Sequence, residues 1–212
     1  MTAETPQKTN MWAIAALLAL CVVPVLAGIM RLALLSSGGP IDAGNARFFA
    51  APLPVVIHIL CVIPFGVLGA FQFAAGLRRR FPAVHRFSGR LLIVFGLGAA
   101  LSGLWMTLFY PWPAGDGVAL YVIRLIVGVL MTLFIVTGFS AAVRRDIATH
   151  RAFMTRAYAL GMGAGTQVLT HLPWLLLLGK PNEATRAVLM GAGWVINLVV
   201  AEWLIRKRSF RR

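Results

Sequence analysis

Long apolar stretches alternate along the chain with short polar segments, and this pattern predicts a bundle of membrane-spanning helices. A run of about 20 apolar residues is long enough to cross the hydrocarbon core of a bilayer. Six windows qualify, at 11–35, 54–77, 91–110, 118–143, 157–178 and 187–205. Backbone polar groups must be satisfied within hydrocarbon, and no alternating strand pattern suggests a barrel, so the windows predict helices. We expect an all-α fold, a single six-helix membrane domain over 1–212 without a soluble domain.

Composition and charge support a membrane protein. The chain is 59% hydrophobic and only 12% charged, whereas an average soluble domain has about 25% charged residues. A net charge of +14 would suggest nucleic-acid binding in a soluble chain. Here the basic residues form short runs between apolar windows, which is typical of charges that orient a membrane protein. The sequence therefore predicts no nucleic-acid partner.

The basic residues are distributed unequally between the two sides of the predicted bundle. Fifteen lie on the side of the N-terminus, the second loop, the fourth loop and the C-terminal tail, against five on the other side. Cytoplasmic segments carry the excess of Lys and Arg, so both termini are predicted to be cytoplasmic. This arginine-rich rim is expected to bind anionic lipid headgroups. The fifteen are Lys8, Arg78, Arg79, Arg80, Arg86, Arg90, Arg144, Arg145, Arg151, Arg156, Arg206, Lys207, Arg208, Arg211 and Arg212.

The chain contains an internal repeat with an offset of 65 residues. The pattern Arg-Arg-x4-His-Arg occurs at 79–86 and again at 144–151, and Gly-x-Gly-Ala occurs at 96–99 and at 161–164. The second and third helices are therefore predicted to repeat as the fourth and fifth, in parallel orientation, which places functional sites at the repeat interface. Small residues four apart on the third and fifth helices predict close packing there.

Ionisable side chains within the apolar windows are the first candidates for a functional site, because they are costly in hydrocarbon. His58, Arg124 and His171 occupy the outer third of the second, fourth and fifth helices at similar depth. Two facing imidazoles are the axial ligands of a six-coordinate haem b, and Arg124 would neutralise a propionate. Hydrogen bonds between helices explain the same residues without a cofactor. A soft-metal site of His58, Cys61 and Met106 is a further alternative.

A second histidine pair lies at the arginine-rich rim. His85 and His150 precede the third and fifth windows, and a second haem between them would complete an electron path across the membrane. The alternative is that both belong to a rim that binds lipid headgroups. Nearby, Glu202 and Arg206 are four residues apart and are predicted to pair.

Two segments resemble a bacterial family of predicted membrane proteins, the domain of unknown function 2306. The first comprises Asn45-Ala46-Arg47-Phe48, His58, Gly69-Ala70-Phe71-Gln72-Phe73 and Leu77-Arg78-x-Arg80-x-Pro82-x-x-His85-Arg86-x-x-Gly89-Arg90; the second comprises Arg124 and His150-Arg151-x-x-Met154-x-Arg156-x-Tyr158. The resemblance covers roughly 45–173 and implies a multi-pass protein of the bacterial inner membrane, with no established reaction. The family usually has an arginine late in the fifth helix, where this chain has Gln167 and Val168.

Three functions are compatible with these residues. The first is a haem-b electron-transfer protein with His58 and His171 as ligands and a quinol or another small reductant as partner. The second is a carrier or binding protein for a small anionic or lipid-like molecule, with Arg124 as the anion contact. The third is an accessory or assembly subunit whose polar residues only join helices.

Overall fold

A computed structural model describes residues 11–209, with side chains up to residue 207. Lys8, Arg211 and Arg212, which entered the charge count above, lie outside the described residues. Nine helices occupy the described range: α1 (Met11–Ser36), α2 (Ala46–Ala50), α3 (Pro52–Gln72), α4 (Ala75–Arg80), α5 (Pro82–Phe109), α6 (Val118–Val143), α7 (Ile147–Gly161), α8 (Gly163–Leu178) and α9 (Glu183–Ser209). No strand occurs between residues 11 and 209, so the all-α class is confirmed for that range.

Five of these helices are long and apolar enough to cross a membrane, namely α1, α3, α5, α6 and α9. The expectation that 157–178 forms one spanning helix is corrected by the structure, because α7 ends at Gly161 and α8 begins at Gly163. Gly161, Gly163 and Gly165 give this segment low helix propensity. Two of them are also required by close packing. A Cβ at Gly163 would lie 2.1 Å from Trp194 Nε1, and one at Gly165 would lie 2.3 Å from the Leu20 carbonyl oxygen.

The most extensive helix contacts join α3 to α5 and α6 to α7, while α5 also packs on α6. α1 covers α3 and α8, and α9 lies against α8, α7 and α6. The sequence predicted close packing at the third and fifth apolar windows, which carry the repeated glycines and correspond to α5 and to α7 with α8. Instead, the glycines accommodate a side chain from α3, because a Cβ at Gly96 would lie 2.7 Å from the Phe65 ring and one at Gly161 would lie 2.6 Å from it. Phe65 is 3% exposed and lies in the centre of the core.

The connections define two ends of the bundle. We call one the Asp116 end; it includes 37–51, 110–117 and 179–182. The opposite, arginine-rich end includes 73–81 and 144–146. At the Asp116 end, the buried Asn45 side chain stabilises the connection between α1 and α2. Its oxygen accepts a hydrogen bond from the Asp42 N–H at 2.8 Å, and its amide donates one to the Pro40 carbonyl at 3.0 Å. These bonds fix the short helix that carries Arg47.

Candidate ligand-binding cavity

A cavity of about 460 Å³ opens at the Asp116 end and reaches the centre of the helix bundle. This volume is within the range of pockets that hold small molecules and cofactors, about 300–1,000 Å³. Residues of α1, α3, α5, α6, α7, α8 and α9 contribute to its walls, together with α2 and the connection before α6. The cavity is therefore enclosed by both halves of the predicted repeat.

Four charged residues line the cavity, and all belong to its mouth: Arg47, Asp116, Arg124 and Arg186. The Asp116 side chain is only 4% exposed and binds two of the arginines. Its Oδ2 accepts a hydrogen bond from Arg124, and its Oδ1 accepts one from Arg186 Nε at 2.7 Å. A single carboxylate thus joins α6 to α9 through the connection that precedes α6.

The connection carrying Asp116 is shaped by its own sequence. Pro111 and Pro113 prevent α5 from continuing, and Gly115 adopts a positive φ of 84° that favours glycine. The Asp116 N–H then donates to the Pro113 carbonyl at 3.0 Å, which closes a tight turn. This turn directs the carboxylate back toward α6 and α9.

Arg47 is the third arginine of the mouth and forms no ion pair among the described residues. It stacks on Phe48, with Cζ 4.6 Å from the ring centroid, and donates to the Pro111 carbonyl at 3.4 Å. Burial lowers the pKa of Arg47. The negative charge of Asp116 acts in the opposite direction, whereas the positive charges of Arg124 and Arg31 lower this pKa further. The guanidinium stays charged at neutral pH. Three arginines against one aspartate leave the mouth with net positive charge.

Glu183 is a further carboxylate beside this mouth. It is exposed, and a Cβ at Gly117 would lie 2.7 Å from its Oε2. Glu183 does not line the cavity, so it does not neutralise the arginines from within.

Below the charged mouth, the cavity wall is mainly apolar. Aliphatic, aromatic and thioether side chains form most of its deep part, and they include Leu20, Val62, Phe65, Met131, Leu160 and Met162. A ligand that fills both regions would therefore have a charged end and an apolar body.

His58 lines the cavity from α3 and is held by the neighbouring helix. Its Nδ1 lies 2.9 Å from the Ala99 carbonyl oxygen and 3.1 Å from Ser102 Oγ on α5. A carbonyl oxygen can only accept, so Nδ1–H is the donor. His58 therefore connects α3 and α5 within the membrane, as the hydrogen-bond alternative for this residue expected.

His171 is placed elsewhere. Its Nδ1 donates to the Gln167 carbonyl at 2.9 Å, within its own helix, and the residue does not line the cavity. Gln167 does line the cavity, and its amide donates to the Met190 carbonyl at 3.1 Å. His58 and His171 are therefore not brought together on one cavity wall.

The remaining candidates from the sequence lie toward the arginine-rich end of the bundle: His85, His150 and Glu202. His150 Nδ1 donates to the Gly138 carbonyl at 2.9 Å, and His85 lies in the first turn of α5, at the arginine-rich end. The predicted pair of Glu202 with Arg206 is replaced by a two-point ion pair with Arg156, at 2.5 and 3.0 Å. Glu202 thus connects α9 to α7, rather than stabilising α9 alone.

The arrangement of residues does not support the outer haem b. Only one of the two proposed outer ligands lines the cavity, and Arg124 is already bound to Asp116. Within residues 11–209, no three His, Cys, Asp or Glu side chains come together as a metal site. The alternative of His58, Cys61 and Met106 includes a thioether ligand and stays a prediction of the sequence. Haem binding stays a prediction of the sequence.

Three residues of the mouth were not recognised as candidates from the sequence. Arg47, Asp116 and Arg186 lie in or beside polar connections, where a charged residue is ordinary. Asp116 had one detectable signal, because it is one of six acidic residues in a strongly basic chain and is followed eight residues later by Arg124. Only the fold shows that Arg186 of α9 joins the same carboxylate.

The apolar helices and the cavity with its cationic mouth define a helical multi-pass membrane protein with an internal cavity. Residues 55–205 match the family described as predicted membrane protein (DUF2306), and because this match covers more than half of the chain, the chain belongs to that family. The match confirms the resemblance seen in the sequence. No curated protein and no solved structure matches the chain.

Proposed function

We propose that this protein binds an anionic amphiphile, with the ligand's charged group at the Asp116 end and its apolar body among the helices. The observation that carries this proposal is a single cavity of about 460 Å³ with an arginine-lined mouth and a mainly apolar interior. Carboxylate, phosphate and sulfate groups share the chemistry that guanidinium groups recognise, namely negative charge and several acceptor oxygens.

The arginines of the mouth retain binding capacity despite their contacts with Asp116. Each guanidinium has five N–H donors in a fixed plane. Arg186 gives Asp116 one hydrogen bond, through Nε, and Arg47 gives Pro111 one. Arg124 gives one to Asp116 and a weak one to the Met190 sulfur at 3.8 Å. Most donors in the mouth therefore have no acceptor among the described residues, and an anionic headgroup would supply acceptors.

The proposal includes six membrane crossings, with α7 and α8 together forming the fifth. α5 begins at Pro82 and α7 at Ile147, a spacing of 65 residues that equals the offset of the sequence repeat. With the arginine-rich end in the cytoplasm of a bacterial cell, the cavity opens toward the periplasm. The same end would then bind anionic headgroups of the inner leaflet. Single-domain organisation belongs to this proposal, because both repeat halves enclose one cavity.

A binding titration with three probes of equal chain length tests the proposal. Dodecanoate is anionic, dodecanol is neutral and dodecyltrimethylammonium is cationic, so their apolar contacts are closely matched. We expect purified protein in nanodiscs of neutral lipid to bind dodecanoate at least about tenfold more tightly than either other probe, since each charged hydrogen bond contributes about 1.5–3 kcal/mol. Equal affinity for all three probes would show that the arginines do not select the ligand.

A second titration distinguishes a free anionic ligand from a membrane lipid. The nanodiscs are prepared with and without phosphatidylglycerol, an anionic lipid. If the natural occupant is a lipid, phosphatidylglycerol competes with dodecanoate and lowers its apparent affinity. If the occupant is a free amphiphile, the lipid has no such effect.

A further inference from the structure

We propose that the ligand of this cavity also carries a hydroxyl or N–H group, which donates a hydrogen bond to Nε2 of His58. This inference rests on the proposed function and narrows the class of ligand. Two observations support it. The contacts of His58 fix which ring nitrogen carries the proton, and the second ring nitrogen has no hydrogen-bond partner among the described residues.

The contacts of His58 determine which ring nitrogen carries the proton. The Ala99 carbonyl at 2.9 Å accepts from Nδ1, so Nδ1 is protonated. Ser102 Oγ is 3.1 Å from the same nitrogen, and its own proton is directed to the Gly98 carbonyl at 2.5 Å. Both neighbours therefore present acceptors to Nδ1–H. In a neutral imidazole, the other nitrogen is then an acceptor.

Nε2 has no hydrogen-bond partner among residues 11–209. The described structure nevertheless contains no fully buried side-chain nitrogen or oxygen without a partner. Nε2 must therefore keep accessible surface. His58 is a lining residue of the cavity, and the proposal requires that this surface of Nε2 face a ligand there.

The surroundings of the ring make this acceptor selective. Gly103 on α5 has no side chain, and a Cβ there would lie 3.4 Å from Cε1 of His58 and 3.6 Å from Nδ1. The side chains of Val62 and Met106, which also line the cavity, have no hydrogen-bond donor. A ligand that covers Nε2 with an apolar chain leaves a buried acceptor unpaired, whereas a ligand hydroxyl at that level pairs it.

The experiment compares dodecanoate with a set of monohydroxydodecanoates that differ only in hydroxyl position. In the wild-type protein, we expect one position to increase affinity about fivefold or more over dodecanoate. His58→Asn keeps an amide donor for the Ala99 carbonyl but lacks Nε2. This variant should lose the hydroxyl preference, measured as the ratio of its affinities for the favoured hydroxydodecanoate and for dodecanoate.

His171→Asn is the matched control, because His171 has a similar position near the Asp116 end but does not line the cavity. The control should keep the wild-type preference. If dodecanoate binds and no hydroxyl position improves it, or if His58→Asn keeps the improvement, the inference is wrong and the proposed function stands. If dodecanoate does not bind, both fall.

Nitrogen-15 NMR of the labelled histidines tests the same inference without a variant in the binding assay. The His58 signals, assigned by their loss in His58→Asn, should show the Nδ1–H tautomer before ligand is added. The favoured hydroxydodecanoate should then shift the Nε2 resonance, and dodecanoate should not. An Nε2–H tautomer of His58 in the unliganded protein would overturn the inference.

Discussion

Asp116 has two opposite effects at the mouth of the cavity. As the carboxylate shared by Arg124 and Arg186, it stabilises the contact between α6 and α9. As an acceptor for the same guanidinium groups, it competes with any anionic ligand. Its side chain is 4% exposed, so its charge is poorly screened by solvent.

The Asp116→Asn variant separates these two effects. We expect dodecanoate affinity to increase about threefold to tenfold, because the competing charge is removed while the mouth keeps its shape. We expect the free energy of unfolding to decrease by about 2 kcal/mol, because two arginines lose their buried partner. Titration and thermal unfolding in the same detergent measure both. Reduced affinity in a folded variant would contradict the competition.

Arg124 is the residue through which charge selection is tested most simply. Arg124→Gln should weaken dodecanoate binding about tenfold or more and leave dodecanol binding unchanged, because a charged hydrogen bond is lost. The matched control is Arg31→Gln. Arg31 lies at the same end, stacked on Phe48 with Cζ 4.7 Å from the ring centroid, but it does not line the cavity. Equal losses in both variants would indicate general surface attraction.

The residues of the mouth also show what the sequence could reveal about the site. Arg124 and His58 were predicted because each is an ionisable side chain in an apolar window, and both line the cavity. Arg47 and Arg186 could not be found in this way, since their importance depends on a connection that folds back over the helices. His171 had the same sequence signal as His58, but its ring bonds to its own helix.

At the scale of elements, the break between α7 and α8 coincides with a cluster of closely packed glycines. Gly165 lies against backbone, the Leu20 carbonyl of α1, which cannot move aside as a flexible side chain can. Gly161 instead accommodates the ring of Phe65. The fifth apolar window was visible in the sequence, but the break was not, since apolar composition does not register how closely two backbones approach.

A pair of glycine substitutions tests this packing. Gly165→Ala should destabilise the protein by about 1–3 kcal/mol, because its Cβ would lie 2.3 Å from the Leu20 oxygen. Gly191→Ala on α9 is the control, since its Cβ would meet only Ile123 Cδ1 at an ordinary 3.6 Å. The control should be neutral or gain up to about 1 kcal/mol of helix propensity. Thermal unfolding in detergent measures both; equal midpoints would contradict the close approach.

Helix boundaries differ from the apolar windows for a related reason. α5 begins at Pro82 and α7 at Ile147, ahead of the windows at 91 and 157, because the polar first turns are helical without being apolar. Asp146 accepts from the Thr149 N–H at 3.0 Å and caps α7. Hydropathy locates the part of a helix that hydrocarbon surrounds, whereas capping locates its start.

At the scale of the whole molecule, the unequal distribution of arginine predicts the orientation of the cavity. In a chain whose Cys21 and Cys61 are replaced by alanine, Ala114→Cys and Ala148→Cys place one exposed thiol at each end. We expect a membrane-impermeant maleimide to label Ala114→Cys in intact spheroplasts and Ala148→Cys only after permeabilisation, because basic loops stay in the cytoplasm. The reverse pattern would place the cavity mouth in the cytoplasm.

The central claim is that an anionic amphiphile lies inside the bundle with its charged group at the Asp116 end. The most direct test is an experimental structure of the protein with dodecanoate brominated at its terminal carbon. We expect the carboxylate to contact Arg124 or Arg186, and the bromine to lie near Phe65 and Met131. Dodecanoate bound only on the outer surface of the helices, or with its carboxylate at the arginine-rich end, would contradict the account.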